Sequence, residues 1–127
     1  MAPAALVLIV DDALDNREAY VEYLRFRGFR TLEAGTGSEA LALARAHTPD
    51  VILLDMRLPD IDGLEVSRVV RADPALRQSK IIAVSAAVFP ADVAAALASG
   101  CHLFLQKPCL PDALVTEIER LLEPAVT

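Results

Sequence analysis

Five short apolar runs recur along the chain: ALVLIV (5–10), FRTLEA (29–34), VILLD (51–55), KIIAVS (80–85) and HLFLQ (102–106). Each has the length of a strand, and most are too uniformly apolar for a strand with one wet face. Between them the apolar positions fall at helical spacing. Tyr20, Val21 and Leu24 share a face. Val66, Val69 and Val70 stand at i, i+3 and i+4, and Leu114, Ile118, Leu121 and Leu122 form a similar stripe. TGSE at 36–39 has the form of a capping box, in which Thr36 caps the second helix and Glu39 reaches back to it. Pro90 and Pro111 suit the first turns of the fourth and fifth helices. The order is β-α five times over. With buried strands, that order predicts an α/β fold: one doubly wound (βα)5 domain, a five-stranded parallel sheet with helices on both faces. We expect a single domain over residues 1–127, with its core at about 5–123.

Composition narrows the class. Apolar residues make up 54% and charged residues 24% of 127 residues, enough for one soluble domain with a real core. No apolar run approaches the roughly 18 residues of a membrane helix, and MAPAALVLIVDD lacks the basic start of a signal peptide. The expectation is a cytoplasmic protein with no membrane partner. A net charge of −6, from 12 basic and 18 acidic residues, argues against direct nucleic-acid binding and suits cations or basic partners. Cys101 and Cys109 flank a strand-like segment whose ends would stand roughly 20 Å apart. A disulfide needs Cα atoms within about 7 Å, so both thiols are expected to be free.

In an open parallel sheet, ligands bind beyond the carboxyl ends of the strands. Asp11 and Asp12 follow the first strand, Asp55 ends the third, Ser85 ends the fourth, and Lys107 follows the fifth. Each has an ordinary explanation alone: a helix cap for Asp12, a turn for Asp55, a satisfied loop amide for Ser85, a solvated ammonium for Lys107. Together they pose a charge problem, since three carboxylates and one lysine sum to −3 + 1 = −2. Mg2+ fits best, being a hard cation that prefers oxygen ligands and works with one or two carboxylates and a phosphate. The neutralised site could then admit a phosphoryl group, with Asp55 as nucleophile and Lys107 and Ser85 holding phosphoryl oxygens.

Four motifs carry a resemblance over roughly residues 5–123: Asp11-Asp12, the LLDMRLPDIDG run with Asp55, the IIAVSA run with Ser85, and LQKP with Lys107. Together, in that order, the chain resembles the receiver domains of two-component response regulators, the CheY-like family. The resemblance implies strand order 2-1-3-4-5. It implies phosphotransfer to Asp55 from a histidine kinase or histidine phosphotransfer protein. It further implies that Asp12 and Asp55 ligate Mg2+ directly with the backbone carbonyl of Arg57, and that Asp11 acts through water. Ser85 and Phe104 would form the switch. A cis peptide at Lys107–Pro108 would aim the lysine at the site. The module would signal rather than turn over an outside substrate, its only chemistry being its own phosphorylation and dephosphorylation.

Several positions depart from the commonest receiver pattern. Phe104 stands where tyrosine is frequent, so no phenolic hydroxyl couples there, and Cys109 replaces the usual phenylalanine. Arg57 is long and cationic, and is expected to lie over the acyl phosphate and alter access of the attacking water. The fourth helix, ADVAAALAS at 91–99, has one charge where a surface helix normally has a charged face. Its ordinary reading is a compact alanine-rich helix. The alternative is a surface for a downstream protein or a second copy, within the 90–123 face that usually carries receiver output. Three other functions compete. The intact acids, Ser85 and Lys107 count against a receiver that signals without phosphorylation. Arg57, standing where an aspartyl phosphatase commonly has its second aspartate, counts against such an enzyme. The absence of tryptophan and of an evident flavin-phosphate cradle in the loops counts against a flavodoxin-like electron carrier. Asp60 and Asp62, with Gly63, are read as loop solvation and the start of the third helix.

Overall fold

The apolar runs become the strands of one parallel sheet: β1 (Leu6–Val10), β2 (Arg30–Ala34), β3 (Val51–Asp55), β4 (Lys80–Ser85) and β5 (Leu103–Gln106), in the order β2-β1-β3-β4-β5. The coordinates are a computed structural model, and they describe residues 4–86 and 89–123. Helices α1 (Leu14–Phe26), α2 (Gly37–His47), α3 (Gly63–Ala72), α4 (Pro90–Ser99) and α5 (Pro111–Leu122) follow the strands in turn, with a 3-10 turn at Pro74–Leu76 before β4. None of the helices among the described residues is long and apolar enough to cross a membrane.

Strand periodicity sorts the core into two layers. Leu8, Val10, Ile52, Leu54, Ile81 and Ala83 point to one face, where they meet Ala40 and Ala44 of α2, Val66 and Val70 of α3, and Ala96 of α4. Val7, Ile9, Val51, Leu53, Ile82 and Val84 point to the other, where α1 and α5 bring Tyr20, Val21, Leu24, Leu114, Val115 and Ile118. β3 lies at the centre and is buried along its whole length. Each large apolar side chain buried this way contributes about 1.5–3 kcal/mol relative to exposure.

Local signals set the helix starts, with two differences from the sequence reading. Thr36 caps α2 by accepting the Glu39 N–H at 3.1 Å, but the Glu39 carboxylate takes the N–H of Gly35 at 2.8 Å, one residue before the cap. Asp62 caps α3, accepting from the Glu65 N–H at 2.9 Å. Asp60 does more than solvate its loop. Its carboxylate accepts the N–H groups of Gly37 (2.7 Å) and Ser38 (3.0 Å) and the Ser38 hydroxyl (2.7 Å), closing the open N-terminus of α2 from a different loop. The Ser38 hydroxyl and these amides hold the Asp60 carboxyl well below the usual carboxylate range. At the end of α4, Gly100 takes a left-handed conformation (φ 119°), and a Cβ there would collide with the Arg71 side chain.

Candidate functional site

Parallel register carries the predicted residues to one edge. Asp55 ends β3 opposite Val84, and Ser85 ends β4 opposite Gln106, so Lys107 stands one residue beyond the last pair. The ladder continues past the strands: the Lys107 N–H donates to the Ser85 carbonyl at 2.9 Å and the Met56 N–H to the Val84 carbonyl at 3.1 Å. Asp11 leaves β1 with its N–H on the Ala34 carbonyl at 3.0 Å.

Asp11, Asp12 and Asp55 each offer a carboxylate oxygen within 4.8 Å of the other two. Asp11 and Asp55 are buried and Asp12 is exposed. Each buried carboxylate has a fixed set of donors. Asp55 Oδ1 accepts the Arg57 N–H at 2.9 Å and Oδ2 accepts from Lys107 Nζ at 2.9 Å. Asp11 Oδ1 accepts the Ala13 N–H at 2.9 Å and Oδ2 lies 3.5 Å from Lys107 Nζ. Asp12 is not the cap of α1, a place taken by Ala13 without a side-chain bond. Burial pulls the Lys107 ammonium down, but its hydrogen bond to Asp55 and the charges of Asp55 and Asp11 outweigh that and raise it above its ordinary value. The Lys107–Pro108 peptide is cis.

The donor set is all oxygen and mostly anionic, and one lysine offsets one of three charges. Hard ligands with residual negative charge suit Mg2+ and leave little for a thiophilic metal. The carboxylates themselves, spaced within reach of one ion, are the observation that the group fits.

Beside the carboxylates lies a cavity of about 180 Å³ lined by Met56, Arg57, Asp62, Leu64, Ser85, Asp92 and Phe104. The two expected switch residues, the buried Ser85 and the half-buried Phe104, therefore line one space. Arg57 is exposed and lines the same cavity, and its backbone N–H is already committed to Asp55.

Other contacts at this edge were invisible in the sequence. The Tyr20 hydroxyl donates to the Cys109 carbonyl at 2.9 Å, tying α1 to the segment after Lys107. Burial raises the Tyr20 phenol, with the Cys109 thiol adding to it. Both cysteines are free thiols, and burial raises each of them. Arg17 bridges Glu33 and the Asp11 carbonyl. These partners lie from 6 to 89 positions apart, and no local pattern marks them.

Known proteins share the sequence pattern and the fold. A family model described as the response regulator receiver domain matches residues 7–119. The polar-differentiation response regulator DivK of Brucella ovis is 34% identical over 119 residues, covering 94% of this chain and 97% of its own. Chemotaxis protein CheY4 of Vibrio cholerae superposes with a TM-score of 0.89 at 30% identity, covering 94% of this chain and 99% of that one. A CheY-like receiver domain protein from Methanospirillum hungatei superposes with a TM-score of 0.87 at 27% identity, over 93% and 94% of the two chains.

Proposed function

Since the chain belongs to the response regulator receiver domain family of two-component signalling, we propose that Asp55 is its phosphoacceptor and that a histidine kinase or histidine phosphotransfer protein is the donor. One observation carries this reading: Lys107 Nζ stands 2.9 Å from Asp55 and 3.5 Å from Asp11, beside a third carboxylate. A structural salt bridge needs one acid. Three acids around one lysine leave charge for a metal and a place for a phosphoryl group.

In the proposed step a carboxylate oxygen of Asp55 attacks the phosphorus of a phosphohistidine. The P–N bond breaks, its electron pair returns to the imidazole, and the imidazole takes up a proton from solvent. The products are an aspartyl phosphate and a neutral histidine. Asp12, Asp55 and the Arg57 carbonyl would hold Mg2+ directly, and Asp11 would hold it through water. When bound, the ion supplies positive charge to the phosphoryl oxygens. Lys107 exchanges its contact with the carboxylate for one with a phosphoryl oxygen, and Ser85 donates its hydroxyl to another. Phe104 then turns into the cavity it borders, altering the face formed by residues 90–123, where a downstream protein or a second copy would bind. Water later cleaves the aspartyl phosphate and resets the module. Its catalysis is confined to its own phosphoryl group, and the setting is the cytoplasm, where ATP charges the donor.

Incubation with acetyl phosphate and Mg2+, followed by intact mass measurement, tests this. The wild type gains one phosphate and Asp55→Asn gains none. A wild type that labels with neither acetyl phosphate nor a competent kinase would overturn the assignment, as would labelling that survives in Asp55→Asn.

A further inference from the structure

Arg17 has no part in the chemistry above, yet it is one of the more enclosed cations of the molecule, its side chain 16% exposed. It sits one turn into α1 and uses its guanidinium as a fork. Nε donates to Glu33 Oε1 at 3.1 Å, and Nη1 donates to the backbone carbonyl of Asp11 at 2.6 Å. The fork lies against Gly35, where an added Cβ would stand 3.2 Å from Nη1, so the end of β2 is trimmed to admit it.

The consequence falls on Asp12. The carbonyl before it is held by Arg17, and the N–H after it, that of Ala13, is held by Asp11 Oδ1 at 2.9 Å. Asp12 is thus suspended between two anchored peptides. Its own carboxylate is exposed and, among the described residues, makes no hydrogen bond or ion pair. Only the backbone directs it toward Asp11 and Asp55, whose charges push it away. The anchoring therefore has to work against repulsion.

We propose that Arg17 is a positioning residue for Asp12, acting through the Asp11–Asp12 peptide plane, with Glu33 aiming the guanidinium. The proposal rests on reading the three carboxylates as a Mg2+ site. Two effects of Arg17 on that site oppose each other. Its charge repels a dication, while its hydrogen bond holds the ligand in place. Glu33 offsets the charge, so the geometric effect dominates. Loss of such an outer partner weakens metal binding about 10- to 100-fold, and we expect about tenfold for Arg17→Met. Arg17→Lys keeps the charge, but an ammonium is a point donor and cannot span both acceptors as a planar fork does. It is expected to fall between Arg17→Met and the wild type.

Mg2+ titration of the full chain, followed by backbone amide shifts, tests this in the wild type, Asp12→Asn, Arg17→Met and Arg17→Lys. The expected result has Asp12→Asn and Arg17→Met both weakened, with partial rescue by lysine. Without metal, the Arg17→Met shifts should move most at Asp12 and Ala13 and least at 55–57. Wild-type affinity in Asp12→Asn would sink the metal reading and the proposal with it. Weak binding in Asp12→Asn beside wild-type or tighter binding in Arg17→Met would sink the positioning role alone. If Arg17→Met does not fold, Arg17→Lys decides: weaker binding at an unchanged thermal midpoint supports the role, and wild-type affinity overturns it.

Discussion

Asp12 carries an electrostatic cost that only its proposed role as a metal ligand would offset. It sits beside two other acids and makes no compensating bond among the described residues. Removing its charge should relieve repulsion. We expect Asp12→Asn to raise the thermal midpoint in EDTA by roughly 1–3 °C, and to lose the further rise that Mg2+ gives the wild type. Calorimetry with and without the ion checks both. A lower midpoint in EDTA would mean that Asp12 is already stabilised without metal. Lys107 behaves oppositely. Its value in the fold is raised above the ordinary 10.5, so its contribution is complete below that pH and is lost only as pH rises through the higher folded value. Gly63 is constrained by space. A Cβ there would stand 2.7 Å from the Asp55 carbonyl oxygen and 2.7 Å from Met56 Cα, both backbone atoms. Gly63→Ala should cost about 1–3 kcal/mol by overpacking, despite alanine's better helix propensity, and should slow labelling of Asp55. Urea unfolding and the mass assay read the two effects. An unchanged midpoint with normal labelling would show that the contact is absorbed.

Between elements, the start of the β4–β5 edge depends on an imidazole. The Ile81 N–H donates to His102 Nδ1 at 3.1 Å, while the His102 N–H donates to the Ile81 carbonyl at 2.8 Å. An accepting Nδ1 requires the neutral ring. Burial, with Arg71 and Lys80 nearby, lowers the His102 value below 6.5. The sign follows: the neutral ring's contribution is complete above about 6.5 and is lost as pH falls through the folded value. Hydrogen exchange, compared after correction for its intrinsic pH dependence, should show Ile81 losing protection below that point. Equal protection at pH 5 and 7.5 would remove His102 from the edge.

What the sequence disclosed at this scale follows from distance along the chain. β1, β3 and β4 were legible because burial on both faces makes them almost uniformly apolar, the less buried β2 and β5 from their length and place in the alternation, and Asp55, Ser85 and Lys107 because each marks a strand's end. Asp60 was misread because its partners, Gly37 and Ser38, lie in another unit's helix start. Glu39 was half-read because the capping box names the partner one residue late. The side-chain contacts of Arg17, Tyr20 and His102 gave no signal, since each looks like an ordinary member of its helix or strand until the fold brings its hydrogen-bond partner near.

At the level of the molecule, the surface of α4 is short of charge, with Asp92 its one charged residue. Leu97 of α4 is 47% exposed among exposed alanines, and β5 lies alongside. Beryllofluoride should alter sedimentation or the chemical shifts of residues 90–104. Identical profiles with and without it would mean that the face does not respond. The opposite end of the sheet has its own use. Ala4 and Leu122 border the same groove as Arg30, His47 and Asp50, where the strands begin. Both ends of the described chain thus lie a full strand length away from the carboxylates. A dye, an affinity handle or a chip linker joined at either end would present the acidic edge outward, so an immobilised molecule should accept a donor as readily as one in solution.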